Sequence, residues 1–295
     1  MEKNRLRWIW ALVLVMLFCG MEREVYGQRV YATNYGFSES GNGGLFGVHA
    51  YVKNPENAVG TNSTNSNYCE ISMSGLLALS PKHSVYQLEF SNSEGNLPAG
   101  TSIFVRLDNA TSVSLLGLAL VTKGLVSVYK DAASNNTSSL TGTAISLSDG
   151  DVSFNGEYLV VTPPACFNAI RVSLVSDGLL GLLATGSIKI YHAYFELPAI
   201  STDNEEICHN ESTLLSISNP ISSSDCNYRW YTQATGGTLL GTGTSFLTPK
   251  LTHNVTYYVA YSGVDPAKLS RKAVTVTVKP RPPAPNIILI PNSQY

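Results

Sequence analysis

The sequence predicts an all-β protein built from two sandwiches in series. Three observations carry this prediction. Apolar residues recur at every second position in short runs, Gly-, Asn- and Ser-rich clusters separate those runs, and no convincing helical period appears. The 295 residues suffice for two domains, or three small ones, at roughly 100–200 residues each. Apolar residues make up 44%, which supports real cores, while charged residues are only 14%, well below the ~25% of an ordinary globular chain. A net charge of −2 with no basic block excludes a dedicated nucleic-acid binder, because phosphate neutralisation needs clustered Lys and Arg. The supply of β-branched and aromatic residues excludes a disordered chain.

Residues 1–27 read as a secretory signal. Lys3, Arg5 and Arg7 form a basic start, and residues 8–18 form an apolar run too short for the ~20 residues that span a bilayer. Val25 and Gly27 stand at the −3 and −1 positions of a cut before Gln28. An uncleaved anchor is the competing reading; a lipoprotein cut before Cys19 is disfavoured by the bulk of Phe18. The expectation is a secreted or cell-surface protein with no membrane span after signal cleavage.

Residues 28–197 form the first predicted domain. Tyr86, Leu88 and Phe90 alternate against Gln87 and Glu89; Ile103, Val105 and Leu107 against Phe104 and Arg106; Ile170, Val172 and Leu174 against Arg171 and Ser173. Ile188 and Ile190 oppose Lys189 and Tyr191 in a run that continues to Phe195. Between the runs lie turn-rich clusters at 38–44, 62–67, 91–100 and 134–143. Two glycine-bearing leucine patches, 115–118 and 179–183, read as loop packing at one end of the sandwich, because no basic residues flank them to draw them to lipid. A boundary falls near residues 197–203, where Pro198 and a polar stretch end the last long run.

Residues 198–279 form the second predicted domain, with shorter runs at 214–217, 228–232, 245–247, 255–261 and 273–278. Strands recurring every ~8–12 residues suit a small immunoglobulin-like sandwich. Residues 280–295 are a proline-rich linker and the truncated start of a further segment.

Export also decides how the cysteines are read. Cys19 leaves with the signal, and Cys69, Cys166, Cys208 and Cys226 remain. An even number in an oxidising compartment favours two disulfides, with three possible pairings. Keeping each pair within one predicted domain gives Cys69–Cys166 and Cys208–Cys226. No CxxC spacing or histidine cluster accompanies them, so no metal site is expected.

Two stretches carry family resemblances. Tyr228-Arg229-Trp230-Tyr231, residues 234–240, residues 248–252, Thr256-Tyr257-Tyr258-Val259 and residues 273–278 follow one another in order. In this pattern residues 207–278 resemble the Ig-like domain that recurs in secreted and cell-surface proteins of Bacteroidetes-type bacteria. The resemblance agrees with Trp230 as the large buried aromatic of a central strand and with a tight turn at Gly236-Gly237. Tyr257, six residues after Leu251, looks like a tyrosine corner. Arg29-Val30-Tyr31-Ala32, residues 52–60, residues 97–101 and the runs 170–175 and 187–194 resemble, more distantly, a discoidin-type jelly roll. That resemblance implies glycan or surface binding through loops at one end. The carboxylate such loops use for calcium is missing here, since Val59 is followed directly by Gly60.

Enzyme chemistry finds little support. The histidines (His49, His83, His192, His209, His253) are dispersed, no nucleophile elbow, P-loop or H-E-x-x-H occurs, and Asp149 and Asp151 read as a solvated turn. No cofactor is expected. Sugar binding commonly uses exposed aromatic platforms beside polar groups. Trp8 and Trp10 leave with the signal and Trp230 belongs to the second core, so the available aromatics are Tyr35, Phe37, Phe46 and Tyr68, in or beside the first domain's loops. The resulting expectation is a non-catalytic exported surface module for adhesion, display or spacing, the N-terminal part of a larger protein. The alternative is a carbohydrate-binding module acting through those loops, with extracellular glycans or cell-surface components as partners.

Overall fold

The structure is a computed structural model that describes residues 29–41, 47–61, 66–75, 81–90, 95–108, 125–176, 186–221, 228–264 and 269–281. The expected signal segment, Phe46, Cys226, both leucine patches and the segment from residue 282 onward lie outside the described residues. Among the described residues, the first part of the chain contributes twelve strands: β1 (Arg29–Tyr31), β2 (Asn34–Glu39), β3 (His49–Lys53), β4 (Cys69–Ser74), β5 (Lys82–Glu89), β6 (Ile103–Leu107), β7 (Val126–Lys130), β8 (Thr143–Ile145), β9 (Val152–Asn155), β10 (Tyr158–Val161), β11 (Ala169–Ser176) and β12 (Gly186–Glu196). The second contributes seven: β13 (Glu205–Ile207), β14 (Leu214–Ser216), β15 (Tyr228–Tyr231), β16 (Leu239–Thr242), β17 (Ser245–Leu247), β18 (Val255–Tyr261) and β19 (Lys272–Val278). The protein is therefore all-β, as the alternating runs predict.

The first twelve strands make a seven-stranded sheet, in the order β3-β4-β12-β6-β10-β9 with β1 also on β12, and a five-stranded sheet, β2-β5-β11-β7-β8. Their inner faces close on each other. Ile103, Val105, Leu107, Leu159, Ile190 and Phe195 from the larger sheet and Tyr86, Leu88, Val128, Ile170 and Val172 from the smaller are all buried. Phe90 meets Phe195 edge to face across the layers at 5.2 Å. Period-two patterning thus fixes which side of each strand is inside.

Two features break the simple alternation. The first is in β12, where the pairing register with β6 shifts between Ile190 and His192. This β-bulge reverses the parity of the strand: Ile188 and Ile190 face the core before it, Ala193 and Phe195 after it. His192 and Tyr194 therefore turn to the outer face, opposite Arg106 and Phe104. The second lies on β5, whose polar residues Gln87 and Glu89 are as buried as its apolar ones. Residues 131–141, expected only as part of a turn cluster, run as a strap over them. The Ser134 amide donates to both Glu89 carboxylate oxygens, at 2.9 and 3.1 Å. Gln87 donates to Glu89 and to Ser134 and accepts from Arg171. Arg171 in turn donates to the Thr141 carbonyl at 2.8 Å and stacks on Tyr129. Burial lowers the pKa of Arg171, the neighbouring Tyr129 opposing the shift. Gly36 of β2 lets the strap come close, since a Cβ there would lie 2.5 Å from Ser134 Oγ and the Ser139 carbonyl.

The second part forms a five-stranded sheet, β13-β19-β18-β15-β16, facing the pair β14–β17. Trp230 is fully buried, stacks on Phe246 at 5.8 Å and donates its indole N–H to the Gly243 carbonyl at 3.0 Å. Tyr257 is also buried beside Phe246, at 5.3 Å. Gly236 and Gly237 both take positive φ, 62° and 72°, in the turn before β16. Strand β13 falls in the polar stretch the sequence reads as boundary, and its pairing with β19 is parallel.

Among the described residues, no sheet contains strands from both parts. Their buried apolar residues nevertheless form one continuous cluster. The contact runs through Gly263, at φ +76°, where a Cβ would sit 2.5 Å from the backbone of Asn96. Tyr261 donates its hydroxyl to the Pro198 carbonyl at 3.0 Å. The two sandwiches are thus packed end to end rather than strung as separate beads.

The expected disulfides are not formed. Cys69 and Cys208 are free thiols, the first buried and the second exposed, so neither Cys69–Cys166 nor Cys208–Cys226 exists. The geometry explains the first case. Cys69 pairs with Ile190, which is level with Leu107, whereas Cys166 follows β10 past the Ile103 end of β6. Four strand residues separate those levels, roughly 13 Å at 3.3 Å each, well beyond the ~7 Å Cα limit of a disulfide. Burial pushes the Cys69 thiol far up, with Glu56 and Glu70 adding to the shift. Because the thiolate is the reactive form, native protein treated with iodoacetamide alkylates at Cys208 while Cys69 reacts about 100-fold more slowly. Peptide mass spectrometry over time reads both rates.

Candidate functional site: an aromatic face on the larger sheet

Core positions on β6, β10, β12 and β1 alternate with outward ones, and here the outward ones are aromatic. Tyr31, Phe104, Tyr158, His192 and Tyr194 share the outer face of the seven-stranded sheet, as the registers Tyr31↔Tyr194, Phe104↔Tyr194, Arg106↔His192 and Arg106↔Tyr158 require. Tyr194 is the hub. It stacks on Phe104 at 5.0 Å with the rings 12° apart, and meets Tyr31 at 5.6 Å and Tyr158 at 5.7 Å. His192 fills the gap between Tyr31 and Tyr158, at 5.5 and 6.1 Å. Tyr194 and His192 are buried, whereas Tyr31, Phe104 and Tyr158 are half-buried and present ring surface outward.

Charged groups ring the aromatics. Arg29 lies over Tyr194 at 4.6 Å and pairs with Glu196 at 2.8 Å. Arg106 lies 5.1 Å from the centre of the Tyr191 ring and pairs with Glu157 at 2.8 Å. Lys189 lies over Tyr68 at 4.7 Å and pairs with Asp108 at 3.5 Å. Tyr68 meets Tyr191 edge to face at 5.8 Å, which extends the aromatic strip across the bulge. Burial, partly opposed by Arg29, pushes the Tyr194 hydroxyl up to about 12, so it remains a neutral donor at physiological pH. Neighbouring Tyr68 and Asp108 raise Lys189.

Of the expected binding aromatics among the described residues, Tyr35, Phe37 and Tyr68, only Tyr68 joins this face. Tyr35 and Phe37 lie on β2, not in loops, and pack at the edge of the core: Tyr35 stacks on Phe37 and on Tyr86, at 6.5 and 6.1 Å. The sequence does contain the signal for the others. Phe104 and Tyr158 are large rings at the non-core parity of well-defined strands, but the bulge in β12 hides the parity of His192 and Tyr194. Asp149 and Asp151 lie in a one-turn 3-10 segment, where Asp151 accepts from the Ser148 amide and hydroxyl. Among the described residues, no group of three or more His, Cys, Asp or Glu is placed to hold a metal ion. No helix among them is long and apolar enough to cross a membrane.

The face offers flat apolar rings edged by donors and acceptors that are already paired. Such a surface binds through ring stacking and hydrogen bonds. Residues 196–280 match a family model described as "Ig-like domain CHU_C associated", which takes in β13 to β19. No curated protein matches the chain.

Proposed function

We propose that this chain is an exported, non-catalytic surface module that adheres to carbohydrate through the aromatic face of its first sandwich. Residues 1–27 serve as the export signal, residues 28–197 form a discoidin-like sandwich, and residues 198–279 form an Ig-like spacer. The match at residues 196–280 supports the surface-module part of this reading. The observation that carries the binding part is the cluster of half-buried rings, Tyr31, Phe104 and Tyr158, around Tyr194. A pyranose lays its C–H face on such rings, while Arg29, Arg106 and their carboxylate partners supply hydrogen bonds to hydroxyls. The binding surface is then a sheet face rather than the loops at one end.

A glycan array probed with the intact chain tests this. Binding to at least one glycan class falls about tenfold in Phe104→Ala and in Tyr158→Ala, with unfolding midpoints close to that of the parent. Silence across the array, or variants that bind as the parent does, sinks the proposal.

A further inference from the structure

The rings on the outer face of the larger sheet fall into two platforms along β12. Tyr31, Phe104 and Tyr158 gather around Tyr194 toward one end, and Tyr68 meets Tyr191 edge to face toward the other. Between them stands Arg106, over the Tyr191 ring and held by Glu157. Arg29 with Glu196 and Lys189 with Asp108 mark the two ends of the strip. The steps from Lys189 to Glu196, one of them taken up by the bulge, span roughly 20 Å on a strand that rises about 3.3 Å per residue. A single sugar covers only a fraction of that length.

Taking this face as the carbohydrate-binding surface proposed above, we infer that its ligand is an uncharged, extended polysaccharide, held along its length by both platforms at once.

The charge pattern selects the uncharged class. Each of the three cations beside the rings carries a carboxylate, Arg29 and Arg106 at 2.8 Å and Lys189 at 3.5 Å. In the central pair the carboxylate is the one turned to solvent, with Glu157 66% exposed against 18% for Arg106. A uronate or sulfated chain brings its own negative charges against Glu196, Glu157 and Asp108, and like charges in contact are unfavourable. Neutral hydroxyls suit the same pairs, because a hydroxyl donates to a carboxylate and accepts from a guanidinium or ammonium.

The spacing selects the extended chain. Once one platform has stacked on a sugar, the second platform meets a later sugar of the same chain, so the second contact is intramolecular and strengthens binding without the entropy cost of a new encounter. A short oligosaccharide reaches one platform only.

Titration calorimetry of the intact chain tests this, using cello-, manno-, xylo- and laminari-oligosaccharides from disaccharide to hexasaccharide, with oligogalacturonates of the same lengths as the charged series. At least one neutral series binds, with its hexasaccharide about tenfold or more tighter than its disaccharide and than any galacturonate. Tyr68→Ala and Phe104→Ala, each with an unfolding midpoint close to the parent's, lose most of the gain with length, because one platform remains. Affinity of the parent chain that does not rise with length overturns the inference, whatever the variants do. Galacturonates that bind as tightly, variants that keep the full gain, or no binding by any neutral series overturn it as well. Array binding that Phe104→Ala weakens, with no gain from length, removes the extended chain while the binding face stands; a silent array removes both.

Discussion

Replacing Glu89 with alanine lowers the stability of the first sandwich by about 3–5 kcal/mol, the range for removing one partner from a buried charged network. Glu89 is essentially fully buried, and its two oxygens accept from the Ser134 amide and from Gln87. Truncation leaves those donors without an acceptor in a site that water does not reach, and it frees the strap that carries Ser134. Glu89→Gln keeps an acceptor oxygen for Ser134 and costs less, about 1–2 kcal/mol. Urea unfolding followed by circular dichroism separates the two variants. Equal, small losses below about 1 kcal/mol would show that the strap does not depend on this carboxylate.

Trp230→Ala costs about 3–5 kcal/mol and acts on the other sandwich. The side chain is fully buried, fills the space beside Phe246, and satisfies the Gly243 carbonyl. A domain of this size holds only about 5 kcal/mol or somewhat more in total, so the variant leaves the second sandwich largely unfolded at 37 °C. In the parent chain Trp230 is the only tryptophan beyond residue 10, so its emission reports on this sandwich alone. The variant is followed instead by limited proteolysis: cleavage within residues 205–278 at a protease dose the parent survives is the expected result, and resistance equal to the parent's contradicts it.

These two positions also show how far sequence reasoning reached. Trp230 could be read in advance because one large aromatic in a short β run has few places to go but a core. The alternating strands were legible for the same reason: burial on one face writes a period of two directly into the chain. Glu89 was not legible as a buried residue. Its parity marks it as outward, and only the long-range return of residues 131–141 over β5 covers that outer face. The aromatic face was half legible. Phe104 and Tyr158 stand at outward positions, but the single-residue bulge in β12 inverts everything after Ile190, and alternation alone cannot reveal an inserted residue. The cysteines misled because membership of one half says nothing about level along a strand: Cys69 stands level with Leu107, whereas the chain reaches Cys166 past the Ile103 end of β6.

One feature of the second sandwich bears on how it carries load. Its first strand and its last, β13 and β19, lie side by side and run the same way, with Glu205 opposite Val276 and Ile207 opposite Val278. The Lys279 amide adds a further bond to the Ile207 carbonyl at 2.8 Å. When the chain is stretched from its ends, these two strands slide along each other, and the bonds between them resist together rather than parting one after another. A surface protein tethered at one end and attached at the other experiences this kind of pull, and the arrangement suits a link that must hold under traction.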